Sequence, residues 1–268
     1  MVSKLRSEDL RSEDLRSEDL MLVVNRGVSG EGMTANRIRG RSSRCHSYEG
    51  SARCWSGSQY YGTYYDFQTA NPHLGSIDFD NTIESVRVTG IWLFYDHEGY
   101  NANTPDPTAM FWSYGVGYSL TIPEEYKNTA TSLRPAGCVG INDDCWNVYE
   151  GLYFAGSTFA GTAEMSDLSF LGFDVFSIIL TGKSAWTFCE NVFYGGPCVC
   201  MYPDTDHVSR TLPVYLDVGI FPTVDHGMLH VKSIRKGCYG KRITSTTPRL
   251  SAGPQQTNGG YDSGSGGK

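Results

Sequence analysis

Ser85-Val86-Arg87-Val88-Thr89-Gly90 returns 92 residues later as Ser177-Ile178-Ile179-Leu180-Thr181-Gly182, and a tryptophan follows each copy, Trp92 and Trp186. A second pair, Ser132-Leu133-Arg134-Pro135-Ala136-Gly137-Cys138 and Ser233-Ile234-Arg235-Lys236-Gly237-Cys238, lies 101 residues apart. A unit of roughly 95 residues therefore occurs twice, and each unit holds two Ser-aliphatic segments. Three of the four read Ser-aliphatic-Arg, through Arg87, Arg134 and Arg235. Between about residues 45 and 240 the apolar runs are short, rich in β-branched and aromatic residues, and punctuated by Gly or Pro, which predicts many short strands in a sandwich or barrel.

An aromatic hairpin signature precedes each Ser segment. It reads aromatic, four residues, aromatic, any residue, Gly: Trp55 with Tyr60-Tyr61-Gly62, Tyr149 with Phe154-Ala155-Gly156, and Phe188 with Phe193-Tyr194-Gly195. The remaining copy, second in chain order, Tyr95 with Tyr100-Asn101-Ala102, has alanine where glycine is expected, which predicts strain in that hairpin. Two aromatics at this spacing pack across a folded-over hairpin, and glycine supplies the positive φ that lets the chain bend back.

Four hairpins, each with a downstream serine, resemble the Greek-key motif of the βγ-crystallins. The resemblance covers residues 45–240 and implies an all-β chain of two βγ-crystallin-like β-sandwich domains, 45–140 and 141–240. Motifs then fall near 45–90, 91–138, 143–182 and 183–240. In that family two motifs interleave into one two-sheet sandwich, and the motif serine closes against the folded hairpin.

The resemblance also implies calcium, through loops of the pattern Asn/Asp, Asn/Asp, two residues, Ser/Thr, Ser. Asp80-Asn81-Thr82-Ile83-Glu84-Ser85 fits with Glu84 in the Ser/Thr place, and Lys127-Asn128-Thr129-Ala130-Thr131-Ser132 fits with Lys127 in the Asn/Asp place. Calcium takes hard oxygen ligands, so the candidates are Asp80, Asn81, Glu84, Asn128 and Thr131. Lys127 brings a positive charge and no oxygen, so at least one degraded site is expected. Residues 172–177 and 228–233 do not match, and no calcium is expected in the second domain.

The charge distribution bears on partners. The formal net charge is -7, but residues 1–44 carry nine basic and seven acidic side chains, so the rest of the chain stands at -9. A folded part this acidic argues against phosphate-backbone binding and suits cations. No run of 18 apolar residues exists, so no membrane span is expected. Gly182-Lys183-Ser184 lacks the earlier glycine of a phosphate-binding loop, and no Gly-x-Ser-x-Gly elbow occurs. Residues 1–44, with Arg-Ser-Glu-Asp-Leu three times over 6–20, read as a disordered tail, and the Gly/Ser-rich residues 241–268 as a flexible one.

Eight cysteines, Cys45, Cys54, Cys138, Cys145, Cys189, Cys198, Cys200 and Cys238, permit disulfides without choosing a pairing. No apolar secretory leader stands at the N-terminus as written, which predicts a cytoplasmic chain with reduced thiols; a different true start would make it secreted. The functional expectation is a non-enzymatic structural protein stabilised by calcium in its first domain, with protein partners or self-association open. The rival class is a secreted binding module, such as a peptidase inhibitor or a defence-complex subunit.

Overall fold

The computed structural model describes residues 50–138, 142–203, 218–224 and 230–244. The expected disordered tail at 1–44 lies outside them, as do residues 245–268. Among the described residues there is no α-helix; thirteen strands and six short 3-10 turns carry the chain.

The N-terminal half is built from β1 (Ser51–Trp55), β2 (Tyr64–Phe67), β3 (Ser85–Tyr95), β4 (Met110–Thr121) and β5 (Ser132–Ala136). β3 serves two layers. Its first residues pair with β1, Trp55 opposite Ser85, and its last residues pair with β5, Tyr95 opposite Ser132. β4 runs beside β3 throughout, with one extra residue where Val88 pairs with Tyr118 but Gly90 with Gly115. This bulge bends the ribbon from one layer to the other. Gly90 (φ 85°), Gly115 (φ 155°) and Gly117 (φ 62°) supply its backbone angles. The enclosed core contains Val86, Val88, Trp92, Phe94, Phe111, Leu120 and Leu133.

The C-terminal half repeats the plan with shorter strands: β6 (Cys145–Tyr149), β7 (Thr158–Gly161), β8 (Ser177–Thr181), β9 (Trp186–Cys189), β10 (Cys198–Tyr202), β11 (Val218–Phe221), β12 (Ser233–Lys236) and β13 (Lys241–Thr244). They form two sheets, in the orders β11-β8-β6-β7 and β12-β9-β10-β13. Trp146, Val148, Ile178, Leu180, Trp186, Phe188, Val199, Met201 and Ile234 fill the space between. β13 is a correction to the expected tail: the chain past residue 240 continues for four residues as a strand parallel to β10, Val199 opposite Lys241.

All four motif serines are fully buried and make the same two bonds. Each hydroxyl accepts the N–H of a hairpin aromatic: Tyr60 to Ser85 (3.0 Å), Tyr100 to Ser132 (3.2 Å), Phe154 to Ser177 (2.9 Å) and Tyr194 to Ser233 (3.0 Å). Each then donates to a carbonyl at the start of that hairpin: Gly57 (2.7 Å), His97 (2.6 Å), Gly151 (2.6 Å) and Asn191 (2.7 Å). The aromatic and the residue before it are left-handed in every case, as at Gln59 and Tyr60 or Tyr153 and Phe154.

Two sequence expectations change here. Ala102 is not strained: its φ is -58°, because Gly99, Tyr100 and Asn101 take the left-handed angles instead. The fourth hairpin is one residue later than its aromatic spacing suggests. Tyr194, not Phe193, bonds to Ser233, and Gly196 (φ 73°), not Gly195, is left-handed. Cys189 therefore takes the place of the first aromatic, bonded to Cys198, and Phe193 is left 74% exposed. The other three hairpins pack their aromatic pairs as expected, with ring centroids 5.3, 5.8 and 5.2 Å apart.

The two halves share a third apolar layer. Trp92 and Phe94 point into the N-terminal core, while Ile91, Leu93 and Tyr95 join Met110 and Ala136 against Tyr149, Phe154, Ile179, Val218 and Ile220. β8 is buried at every residue because it is covered on both faces. Arg134 crosses this layer, only 4% exposed. Its Nε donates to the Tyr95 hydroxyl (3.0 Å), its Nη1 to the Gly156 carbonyl (2.8 Å), and its Nη2 to the Phe154 carbonyl. The guanidinium lies 4.5 Å from the Tyr100 ring centroid and 5.1 Å from that of Tyr149. Oriented carbonyls and aromatic faces thus replace its water.

Asp144 closes the second half. Its carboxylate accepts from the N–H groups of Lys183 (2.8 Å) and Ser184 (2.9 Å), the Ser184 hydroxyl (2.6 Å) and Lys236 Nζ (2.7 Å). The Gly182-Lys183-Ser184 turn therefore cradles an internal carboxylate. Burial by itself raises the acid's pKa, but the Lys236, Ser184 and Lys183 bonds outweigh it and bring the value down to about 2.

Ser177→Ala removes an acceptor and a donor and leaves a buried N–H and a half-buried carbonyl unpaired; unfolding in urea is expected to show a loss of about 2 kcal/mol. A loss under about 0.5 kcal/mol contradicts the clamp. For Asp144 the depressed folded pKa stabilises the fold above the unfolded value of 3.8, and that gain is lost as pH falls towards about 2. Acid unfolding of Asp144→Asn is expected to be less steep than wild type over that interval; equal slopes contradict the assignment.

Candidate cation site between two loops

The loops at residues 80–85 and 127–132 each lead into a clamped serine, and they meet through reciprocal backbone bonds. The Asn81 N–H donates to the Ala130 carbonyl (3.0 Å) and the Asn128 N–H to the Ile83 carbonyl (3.0 Å). Asn81 and Asn128 are both left-handed, with φ of 53° and 57°, a conformation asparagine tolerates better than most residues. The exchange sets the second position of each loop against the fifth position of the other.

The two ends of this arrangement differ chemically. At one end the Thr131 hydroxyl lies 3.5 Å from Asn81 Oδ1, and Asn81 Nδ2 donates to Asp80 Oδ2 (3.2 Å). Asp80 Oδ1 is buried and has no hydrogen-bond partner. A buried carboxylate oxygen without a donor is costly, and its carboxylate is bonded to Asn81, whose amide oxygen meets the Thr131 hydroxyl. These are the hard oxygens that suit calcium, so the residues at this end fit such an ion.

At the other end the oxygens are occupied. Glu84 Oε2 accepts from the Ser58 hydroxyl (2.7 Å) and Oε1 from Asn128 Nδ2 (3.3 Å). The Ser58 bond, then the Asn128 bond, and the charge of Lys127 hold the Glu84 pKa below the ordinary glutamate value. Lys127, in the position equivalent to Asp80, pairs with Glu124. This end is internally satisfied and does not fit a cation as it stands.

Of the five candidates, the structure thus joins Asp80 and Asn81 to Thr131, and Glu84 to Asn128, as two separate clusters. Ser58 was missed by sequence reasoning. It lies in the first hairpin, 26 residues from Glu84, outside any loop pattern. In the C-terminal half the contact between the two loops is at their third positions, His230 Nδ1 to Asp174 Oδ1 at 2.6 Å. Among the described residues no group of three or more His, Cys, Asp or Glu side chains is arranged to hold a metal, so a cation site here needs amide, hydroxyl or backbone oxygens beside its carboxylate. No helix of the described residues is long and apolar enough to cross a membrane.

Among the described residues two disulfides are present, and both tie down β10 of one sheet. Cys189–Cys198 joins residues directly opposite on β9 and β10, and Cys200–Cys238 ties β10 to the segment after β12.

No family model and no curated protein matches the chain. Among solved structures it is similar to geodin, a beta-gamma crystallin from Geodia cydonium, at 19% identity and a TM-score of 0.50, over 70% of this chain and 99% of that one. It also aligns with Protein S, solved in complex with calcium, at 16% identity and a TM-score of 0.26, over 69% of this chain and 98% of that one. The clamped serines, the folded aromatic hairpins, the bulged ribbon shared between layers and the likeness to geodin agree: this chain has the Greek-key fold of the βγ-crystallins.

Proposed function

We propose that this chain is a non-enzymatic structural protein whose N-terminal half binds one calcium ion between the loops at 80–85 and 127–132. The observation that carries the reading is the buried, unpartnered Asp80 Oδ1, on a carboxylate linked through Asn81 to Thr131. Asp80 would supply the charged oxygen, Asn81 the amide oxygen and Thr131 the hydroxyl from the opposite loop. Calcium takes six to eight oxygens, so backbone carbonyls and water complete the set. The ion supplies a crosslink between two motifs. Because the three residues come together only in the folded chain, binding stabilises the fold by about 2.7 kcal/mol when free calcium is 100 times Kd. Lys127 and the Ser58–Glu84–Asn128 bonds argue for a stoichiometry of one.

A second reading, a secreted binding module such as a peptidase inhibitor or a defence-complex subunit, has the two disulfides in its favour. Disulfides persist in oxidising compartments and are rare where thiols are kept reduced. Alkylation of the native protein from its source is the discriminating measurement for the compartment. Four blocked cysteines among 189, 198, 200 and 238 support secretion, and four free thiols support the cytoplasm.

Calorimetric titration of the full chain with calcium chloride is expected to give one equivalent of saturable binding and a raised Tm. Asp80→Asn is expected to weaken binding at least tenfold, about 1.4 kcal/mol, whereas Glu84→Gln changes it less than tenfold. No heat and an unchanged Tm in millimolar calcium would sink the calcium reading. Loss of binding in Glu84→Gln with retention in Asp80→Asn would move the ion to the other end.

A further inference from the structure

The outer face of the β12-β9-β10-β13 sheet carries a covalent strap. Val199 and Met201 of β10 point into the core, so Cys198 and Cys200 stand on the opposite face. The chain leaves β12 at Lys236 on one edge of the sheet and re-enters as β13 on the other. Three inter-strand gaps make a crossing of about 14 Å, and five residue steps reach at most about 17 Å, so residues 237–240 cross nearly extended. They lie flat on the sheet. The Gly237 N–H donates to the Ala185 carbonyl (2.8 Å). Thr187 Oγ1 donates to the Gly237 carbonyl (2.6 Å) and accepts the Tyr239 N–H (2.9 Å). A Cβ on Gly240 would sit 2.3 Å from the Cys198 carbonyl oxygen, so only glycine passes there.

The two disulfides have different tasks. Cys189–Cys198 joins strands that already pair over four residues, within a span of nine. Cys200–Cys238 spans 38 residues and fixes the strap midway across the face. Without it, β13 is a four-residue parallel strand at a sheet edge, held by its own ladder and a few strap hydrogen bonds. Short edge strands of this kind are marginal. Cys238 is exposed while Cys200 is buried, so an external thiolate reaches the Cys238 side first.

We propose that Cys200–Cys238 is a reductant-sensitive clasp: reduction by a dithiol releases the strand Lys241–Thr244 and opens the edge of β10, leaving both apolar cores in place. One thiolate of the dithiol attacks the Cys238 sulfur, the Cys200–Cys238 bond breaks, and the Cys200 thiolate leaves and takes up a proton. The second thiol of the reagent then closes the reagent's own disulfide and releases Cys238. The protein gains two electrons and two protons, which the dithiol loses. The clasp is independent of the calcium reading, whose residues lie in the other half.

The test is hydrogen–deuterium exchange of the full chain with and without dithiothreitol, beside the double variants Cys200→Ser/Cys238→Ser and Cys189→Ser/Cys198→Ser. Amides of residues 242–244 are expected to exchange at least tenfold faster after reduction, and equally fast in Cys200→Ser/Cys238→Ser without reductant. In Cys189→Ser/Cys198→Ser they stay protected until dithiothreitol is added, and the amides of β3 and β8 stay protected throughout. Unchanged protection of residues 242–244 in the reduced wild type overturns the proposal. So does loss of protection across β8 and β9 on reduction, since the disulfide would then hold up the whole half rather than clasp one strand. Should the Cys200→Ser/Cys238→Ser chain fail to fold, exchange in the reduced wild type by itself supports or overturns the clasp.

Discussion

The architecture depends on one serine hydroxyl, used four times. A hairpin folded flat over a sandwich needs consecutive left-handed residues, and for a non-glycine residue that conformation costs roughly 1–2 kcal/mol. Tyr60, Tyr100, Phe154 and Tyr194 all adopt it. The hydroxyls of Ser85, Ser132, Ser177 and Ser233 accept the aromatic N–H and donate to the carbonyl at the start of the hairpin, closing it at both ends. Serine is small enough to be fully buried while doing so. Alanine loses both bonds, and threonine adds a methyl group in a packed interior.

Once the hairpins are closed, the strands that follow them are free to be buried on both faces. That is why Ile91, Leu93 and Tyr95 serve the interface while Trp92 and Phe94 serve the core. The shared layer joins the two halves by packing, and Arg134 adds direction to it. Its cation has carbonyls and tyrosine faces for partners rather than a carboxylate. Such a site demands correct placement of Tyr95, Tyr100 and Tyr149 together, so it ties one hairpin of the N-terminal half to one hairpin of the C-terminal half. A hydrophobic replacement would keep the contact area but not this geometric requirement.

The same pseudo-symmetry that repeats the clamps sets up two equivalent loop ends, and a few residues make them unequal. Asp80 leaves a buried acceptor open, whereas on the opposite side Glu84 accepts from Ser58 and Asn128, and Lys127 pairs with Glu124. Symmetry of the backbone therefore does not imply symmetry of chemistry. The C-terminal half goes further, with a His230–Asp174 contact between the third positions of its two loops. It also carries a disulfide-pinned strap across an outer sheet face, which has no counterpart among the described residues of the N-terminal half.

Much was legible because it is local or periodic. The 92-residue recurrence, the aromatic spacing of the first three hairpins and the motif serines are properties of short segments; their repetition predicts a repeated unit of short strands, and their resemblance to the βγ-crystallin motif implies paired Greek keys. The membership of Asp80, Asn81 and Thr131 in one loop pair follows from the same pattern. Other features are set by residues distant in sequence. Cys189, bonded to Cys198 across a ladder, stands where Phe188 was expected and Tyr194 where Phe193 was, so the aromatic rule slips by one. Ala102 is relaxed because Gly99 and Asn101 take over the left-handed turn. Ser58 reaches Glu84 only after the first hairpin folds down, and Lys241–Thr244 becomes a strand only because the edge of β10 is open to it. Sequence by itself determined the repeat, the clamps and the class of fold. Tertiary structure alone decided which oxygen remains unpaired and which cysteines meet, because burial and pairing are properties of surroundings that no short segment contains.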